Sequence, residues 1–123
     1  ARYGVAGVRG TVGFHGLLGA PEAGKVERAK HMHTKVLALH GWNDPMARPD
    51  AVNAFAREMH DHGCDWQLHA FGGCGHATTR PGSRSARQYN PLADVRAFEM
   101  MHAFFDEVFS SRWDTKVTTC PWP

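Results

Sequence analysis

The sequence predicts an α/β fold with about three parallel strands and flanking helices. Three observations lead to this fold class: short apolar runs bounded by glycine, two longer segments with helical periodicity, and the alternation of the two kinds of segment along the chain. Strands that alternate with helices are joined by right-handed crossovers and therefore form a parallel sheet. The 123 residues are enough for one domain with a modest core.

Three segments have the composition of strands. Residues 4–16 contain apolar residues spaced among glycines, which indicates a buried strand followed by a loop. Residues 35–41 form a short apolar run bounded by Gly41, which is typical of a strand buried in a parallel sheet. Residues 65–73 alternate with a period of two, so we expect a strand that is less buried or lies near an edge of the sheet.

The first predicted helix lies between the second and third strands, at residues 48–63. Pro49 suits its first turn, Asp50 complements its N-terminus, and Gly63 suits a left-handed cap. Apolar residues recur at helical spacing on the face that we expect to be buried, namely Val52, Phe55 and Met59.

The second predicted helix, residues 91–109, has the stronger pattern. Pro91 can open it. Its apolar stripe is expected at Val95, Phe98, Met101 or His102, Phe105 and Phe109. Between the first two strands, the polar residues 17–33 are predicted to form a long loop with a helical turn near residues 25–30.

Composition and charge argue against several classes of protein. A net charge of +2, with Lys and Arg scattered among acidic residues, does not favour nucleic-acid binding. No apolar run approaches the roughly 18 residues of a membrane span, and no signal peptide is visible. Three widely spaced cysteines suggest reduced thiols and not a disulfide framework. We therefore expect a cytoplasmic protein that binds neither nucleic acid nor membranes.

Two loops that follow predicted strands carry the ionisable groups of greatest interest. Asp44 follows the second strand and His76 follows the third. In parallel sheets, functional groups gather at the loops after the carboxyl ends of the strands, and neighbouring strands lie about 5 Å apart. A carboxylate bonded to one imidazole nitrogen leaves the other nitrogen to act as a base. If the two strands are neighbours, the side chains of Asp44 and His76 can meet in this way.

A longer pattern contains both residues. It runs through KVLALHGWNDP, a helix, DWQLHAFGGCGHATT and then YNPLADVRAFEMMHAFFDEVF, with GTVGFHGLL upstream. In their order and spacing these motifs resemble the C-terminal half of the dienelactone hydrolase family of α/β-hydrolases. The resemblance implies that residues 1–109 are the C-terminal half of an α/β-hydrolase domain and that residues 110–123 form an irregular tail. One departure is Thr78, since the family usually has an aromatic residue after the HA pair.

The same resemblance implies that Asp44 is the acid and His76 the general base of a catalytic triad. Members of the family hydrolyse an ester or lactone with a Cys or Ser nucleophile, held in a G-x-C/S-x-G elbow one helix before the FHG strand. We therefore expect the nucleophile to precede residue 1 and the isolated chain to be inactive. A small-molecule ester or lactone is the expected partner, and no cofactor or metal is implied.

Other polar residues have simpler interpretations. Cys74 lies two residues before His76, but a polar loop follows it where a nucleophile elbow needs a helix. We therefore expect Cys74 to be a small residue packed at a strand end and not a nucleophile. The His and Cys pairs in HDHGC, CGH and HMH are two residues apart, which is not the spacing typical of zinc sites. His15 could line the cleft, but a hydrogen-bonded structural histidine is the better interpretation. A loop after the third strand carries three arginines, Arg80, Arg84 and Arg87. They could attract a carboxylate substrate or simply belong to a solvated loop.

A second class of function also fits the sequence, namely a non-catalytic structural or interaction module. Three parallel strands leave the outer edge of the first strand unpaired, and exposed edges recruit partners. We therefore expect a homo-oligomer, such as a dimer that pairs across Gly7 to Phe14.

Overall fold

The protein is described by a computed structural model that covers residues 2–3, 5–19, 32–83 and 88–110. Its elements follow in the order β1 (Gly10–Phe14), β2 (Lys35–Gly41), α1 (Pro49–Asp61), β3 (Trp66–Phe71) and α2 (Pro91–Phe109). All five predicted elements are confirmed, and β2 and α2 have the predicted bounds. The helical turn expected near residues 25–30 and residues 111–123 of the expected tail lie outside the described residues. Neither described helix has the length and apolarity to cross a membrane.

The three strands form one parallel sheet in the order β1-β2-β3. The central strand β2 pairs residues 35–39 with Gly10–Phe14 of β1 and residues 36–41 with Trp66–Phe71 of β3. Because all three strands run in the same direction, the loops that follow them lie at one edge of the sheet. This edge, which we call the carboxyl edge, is where the sequence places its candidate residues.

The core has two halves because α1 and α2 cover opposite faces of the sheet. Successive residues of β2 point to alternate faces, so each half receives two of its buried apolar side chains. The α1 half contains Met32, Val36, Ala38, Phe55, Met59 and Cys64. The α2 half contains Leu37, Leu39, Ala97, Phe104 and Val108. The predicted inward face of α1 is confirmed, since its buried residues are Val52, Phe55 and Met59.

The predicted apolar stripe of α2 is confirmed at Phe105, which packs against the α2 half of the core, but is wrong at other positions. Three of its members, Val95, Phe98 and Phe109, are exposed. The buried residues of the helix are instead two alanines, one valine and one phenylalanine: Ala93, Ala97, Phe104 and Val108. The physical reason is the close approach of the helix to β1, where a Cβ on Gly10 would come within 2.8 Å of Val108.

Lys35 ties three elements together at the edge of the sheet opposite the candidate site. Its ammonium group donates hydrogen bonds to the carboxylate of Asp65, just before β3, and to Glu107 Oε1 in α2, the latter at 3.0 Å. The hydrogen bond to Asp65 raises the pKa of Lys35 above its ordinary value, with a further contribution from Glu107. Lys35 therefore stays charged at neutral pH and holds the starts of β2 and β3 against the end of α2.

Candidate active site

Asp44 and His76 meet at the carboxyl edge of the sheet. His76 Nδ1 lies 2.9 Å from Asp44 Oδ2. The Asp44 side chain is fully buried, whereas the His76 side chain is 29% exposed. A carboxylate at Nδ1 favours the tautomer that carries its proton on Nδ1, and the lone pair then lies on Nε2. The arrangement can supply a base at Nε2 with a fixed ring orientation.

The turn after β2 fixes the orientation of the Asp44 carboxylate. Asp44 Oδ1 accepts a hydrogen bond from the backbone N–H of Met46 at 2.8 Å. The backbone N–H of Asp44 donates to the carbonyl oxygen of Gly41 at 3.0 Å. Both carboxylate oxygens are therefore engaged, one by the backbone and one by His76. Hydrogen bonds to an ionised group are the stronger kind, and they allow the buried charge to be accommodated.

A close approach between the loops after β2 and β3 brings the acid and the histidine together. The backbone N–H of Asn43 donates to the carbonyl oxygen of Cys74 at 2.8 Å. Gly41 lies where the two loops cross. A Cβ at Gly41 would come within 2.7 Å of the Cys74 carbonyl oxygen and closer still to that of Gly75. The backbone contact therefore requires glycine at position 41.

The turn that carries His76 is held from its inner side. Ala77 is buried and has a φ of +61°, a left-handed conformation that is uncommon for residues other than glycine. The Thr78 hydroxyl donates to the carbonyl oxygen of Gly75 at 2.9 Å, and the Thr78 carbonyl accepts from the backbone N–H of Asn90 at 3.0 Å. Thr78, the departure from the family pattern, is thus a buried residue that stabilises the turn.

A cleft of about 510 Å³ opens beside His76. Its lining consists of His76, Ala77, Arg80, Gly82, Ser83 and Gln88. Arg80 supplies a positive charge to this polar lining. The other two members of the arginine group, Arg84 and Arg87, lie outside the described residues.

His15 is a third polar residue of the site, and its contact with His76 could not be foreseen from the sequence. Its Nε2 lies 3.1 Å from Thr79 Oγ1, and its ring meets the His76 ring edge-on, with the centroids 5.3 Å apart. Burial lowers the pKa of His15 below its ordinary value of 6.5. The charge on His76 lowers this pKa further, Asp44 opposes the shift, and Arg80 adds to it. The contacts agree with the interpretation of His15 as a hydrogen-bonded histidine.

A fourth polar residue, His40, lies inside the fold next to the site. It precedes Gly41 in β2, is only 2% exposed, and has no hydrogen-bond partner at either ring nitrogen. Burial lowers the pKa of His40 below 6.5, and the Asp44 carboxylate opposes this shift without reversing it. His40 is therefore neutral in the folded protein at neutral pH.

The two lowered pKa values predict that the protein loses stability in mild acid. As the pH falls below about 6.5, the unfolded chain binds protons at His15 and His40 while the folded chain resists them, so the free energy of unfolding falls. We expect His40→Leu to weaken this fall. At pH 7 we expect it to raise stability by about 1 kcal/mol, because it removes an unpartnered buried polar group.

Denaturant unfolding at pH 7 and pH 5.5 measures both effects. The matched control is His102→Leu on the exposed side of α2, which should keep the wild-type pH dependence. Equal pH dependence in His40→Leu and in the wild type would contradict the prediction.

The remaining candidates of the sequence take no part in the pair. Cys74 is buried in the loop after β3, and its backbone carbonyl bonds to Asn43. His60 is exposed in the last turn of α1. Within the described ranges, no three His, Cys, Asp or Glu residues converge so that they could hold a metal ion.

Comparisons with known proteins show which family the chain belongs to. The family model of the dienelactone hydrolase family matches residues 1–109. The chain belongs to the dienelactone hydrolase family. A search of curated protein sequences finds no match.

Solved structures share the fold. A dienelactone hydrolase-like promiscuous phosphotriesterase, P91, from metagenomic libraries is 30% identical with a TM-score of 0.71, over 82% of this chain and 43% of that one. A structure named m3DLH is 32% identical with a TM-score of 0.69, over 82% of this chain and 42% of that one. Esterase 2 of Thermogutta terrifontis, phosphoramylated by tabun, is 19% identical with a TM-score of 0.63, over 82% of this chain and 42% of that one. The chain therefore spans less than half the length of these proteins.

Proposed function

We propose that the protein hydrolyses an ester or lactone, with Asp44 as the acid and His76 as the base of a catalytic triad. The observation that carries the proposal is the 2.9 Å contact between the buried Asp44 carboxylate and the partly exposed His76 ring, beside an open cleft. A buried carboxylate and an accessible imidazole are the arrangement that general-base catalysis requires. Membership of the dienelactone hydrolase family supports the same chemistry.

In this mechanism His76 accepts and then donates one proton in each of two half-reactions. Its Nε2 removes the proton from a Cys or Ser nucleophile as that group attacks the carbonyl carbon of the substrate. The imidazolium then gives the proton to the leaving oxygen, which leaves an acyl-enzyme. Water then gives a proton to the same nitrogen as it attacks the acyl carbon, and the imidazolium returns that proton to the nucleophile as the bond between the nucleophile and the acyl carbon breaks and the acid is released. Asp44 holds the ring and stabilises the imidazolium between these steps, while backbone N–H groups stabilise the oxyanion.

The nucleophile of this mechanism lies outside the 123 residues. The family's usual G-x-C/S-x-G elbow does not occur in this sequence; GGCGH at residues 72–76 lacks the last glycine. Cys74 is also buried, so its thiol is not accessible to a substrate in the cleft. In this proposal the chain contributes the acid and the base of the triad and no cofactor.

Two features suggest which substrates to test. Arg80 lines the cleft next to His76, so a substrate with a carboxylate, such as a carboxylated lactone, is one candidate. The related structures include one described as a phosphotriesterase and an esterase phosphoramylated by tabun. Phosphotriesters therefore belong in the panel beside carboxylic esters and lactones.

The cytoplasm is the proposed site of action. Cys64 and Cys74 are both free thiols in the described part of the chain. Unpaired buried thiols suit a reducing compartment.

The proposal predicts that the 123-residue chain alone does not turn over an activated aryl ester. The purified chain should hydrolyse the ester no faster than its His76→Ala variant, because a base without a nucleophile adds little to the reaction of water. The protein at its full encoded length should hydrolyse it, and His76→Ala should abolish that activity. Faster hydrolysis by the unaltered 123-residue chain than by His76→Ala would show that the nucleophile lies within these residues.

A second candidate function is self-association through β1. In the described part of the sheet β1 is an edge strand, and apolar residues are exposed beside it at Val5, Val8 and Phe98. The Phe98 ring lies 5.0 Å from that of Phe14 in β1, measured between centroids. An unpaired strand next to an apolar surface favours pairing with a second copy.

Light scattering from the purified 123-residue chain over a dilution series tests self-association. We expect a dimer that Val8→Lys weakens, since a charge placed just before an edge strand opposes pairing. The matched control is Leu92→Lys, because Leu92 is exposed on α2 at the first turn of the helix. A monomer at every concentration would rule the second candidate out.

A further inference from the structure

His15 occupies an unusual backbone conformation at the end of β1. Its φ is +38°, in the left-handed region that few residues other than glycine adopt. Its backbone N–H nevertheless continues the ladder and donates to the carbonyl oxygen of Leu39 at 2.8 Å. The strand therefore stays paired up to the residue whose backbone turns aside. Strain of this kind persists only where the surrounding contacts fix it, and it is concentrated at functional sites.

The conformation brings the His15 ring to the turn that carries His76. Nε2 of His15 lies 3.1 Å from the hydroxyl oxygen of Thr79. The ring also meets that of His76 edge-on, at an interplanar angle of 64°. His15 thus contacts both the catalytic candidate and the residue three positions after it. Asp44 holds Nδ1 of the same His76 ring, so the ring is bounded by two side chains.

Burial and the neighbouring charges keep the His15 ring uncharged. The ionisable groups that act on it are His76, Arg80 and Asp44. His76 and Arg80 both disfavour a positive charge on His15, in addition to its burial. When His76 is protonated during the reaction, His15 therefore remains uncharged and does not repel it.

We propose that His15 is a positioning residue for His76, which it orients by an edge-on ring contact and by a hydrogen bond to Thr79. This inference rests on the proposed function. The His15 ring restricts the tilt of His76 that the bond to Asp44 leaves free, and the Thr79 bond fixes the turn from the β1 side. Loss of His15 would remove neither Asp44 nor His76 and would change only the rigidity with which the pair is held.

The His76 Nδ1 proton reports on this rigidity without any need for catalysis. Bound to Asp44, it should give a separate low-field proton NMR signal in the protein at its full encoded length, and its exchange with water measures how often the pair opens. We expect exchange at least threefold faster in His15→Leu and in Thr79→Val. His15→Gln should exchange at a rate between those of the wild type and His15→Leu, since the glutamine amide can reach the Thr79 hydroxyl as Nε2 does but supplies no ring against His76.

The controls separate a local effect from a general loss of stability. His60→Gln, on the exposed side of α1, should leave the exchange rate unchanged. Thr79→Val keeps the His15 ring and removes only its hydrogen bond, so it serves if His15→Leu does not fold. A folded His15→Leu or Thr79→Val protein with less than a threefold increase would overturn the proposal.

Kinetics provide a second measurement of the same role. In ester hydrolysis we expect His15→Leu to lower kcat about tenfold with KM within twofold, because a loosely held base is misplaced in the transition state. His15→Gln should restore kcat to within threefold of the wild type. Loss of the low-field signal in Asp44→Asn, together with wild-type exchange in His15→Leu, would contradict only the positioning role. A low-field signal that is still present in Asp44→Asn would instead contradict the proposed pairing of Asp44 with His76.

Discussion

Asp44→Asn is expected to lower kcat for ester hydrolysis by about four orders of magnitude in the protein at its full encoded length. The reason is the tautomer of His76. An asparagine at this position can donate to Nδ1, so the ring proton moves to Nε2, and the nitrogen that should accept the nucleophile's proton no longer can. The side chain keeps its shape and its bond to Met46, so KM should stay within about threefold.

Steady-state kinetics with an activated aryl ester measures this effect. The matched control is Asp50→Asn, on the exposed first turn of α1, which should leave kcat within about twofold because the helix N-terminus loses only a favourable charge. If Asp44→Asn retained more than a tenth of the wild-type kcat, Asp44 would not be the acid of the triad.

Gly41→Ala is expected to destabilise the protein by about 3 kcal/mol, the upper part of the range for added volume at a packed position. The added methyl group would meet two backbone carbonyl oxygens, those of Cys74 and Gly75. Side chains can change rotamer to relieve a clash, but these oxygens can move only if the loop after β3 moves. We therefore expect the 2.9 Å contact between Asp44 and His76 to be lost in the same variant.

Denaturant unfolding measures the change in stability, and the low-field His76 signal measures the loss of the contact. Gly72→Ala is the matched control, since Gly72 lies in the same loop and a Cβ there meets nothing within 4 Å. That control should be neutral or stabilising by up to about 1 kcal/mol, because alanine restricts the unfolded chain. Equal stabilities for the two variants would contradict this account of Gly41.

The sequence predicts much of this fold because its strongest signals are local. The apolar run of β2 and the proline and glycine at the two ends of α1 determine structure through their own backbone preferences. The order of Asp44 and His76 after successive strands also carried over into space, since a parallel sheet places such residues at one edge. These features depend on few distant contacts.

The features that the sequence did not predict depend on contacts between distant residues. The sequence predicts that the large apolar residues of α2 face the sheet. Gly10 lets the helix approach so closely that Ala97 and Val108 face the sheet instead, while Phe98 is exposed. His15 and Thr79 are 64 residues apart, so no local pattern joins them. The unpartnered nitrogens of His40 are likewise a property of packing alone.

The pairing of β2 with β3 has a consequence for which changes of length the protein can tolerate. A slip of one residue between these strands moves one chain past the other by about 3.3 Å and turns its side chains to the opposite face. The acid and the histidine would then be too far apart for a hydrogen bond. Insertions in the loops before and after α1 can be absorbed, as loops generally absorb them. A single deletion within Trp66–Phe71 would instead separate the acid from the histidine and turn the apolar side chains of β3 away from their present halves of the core.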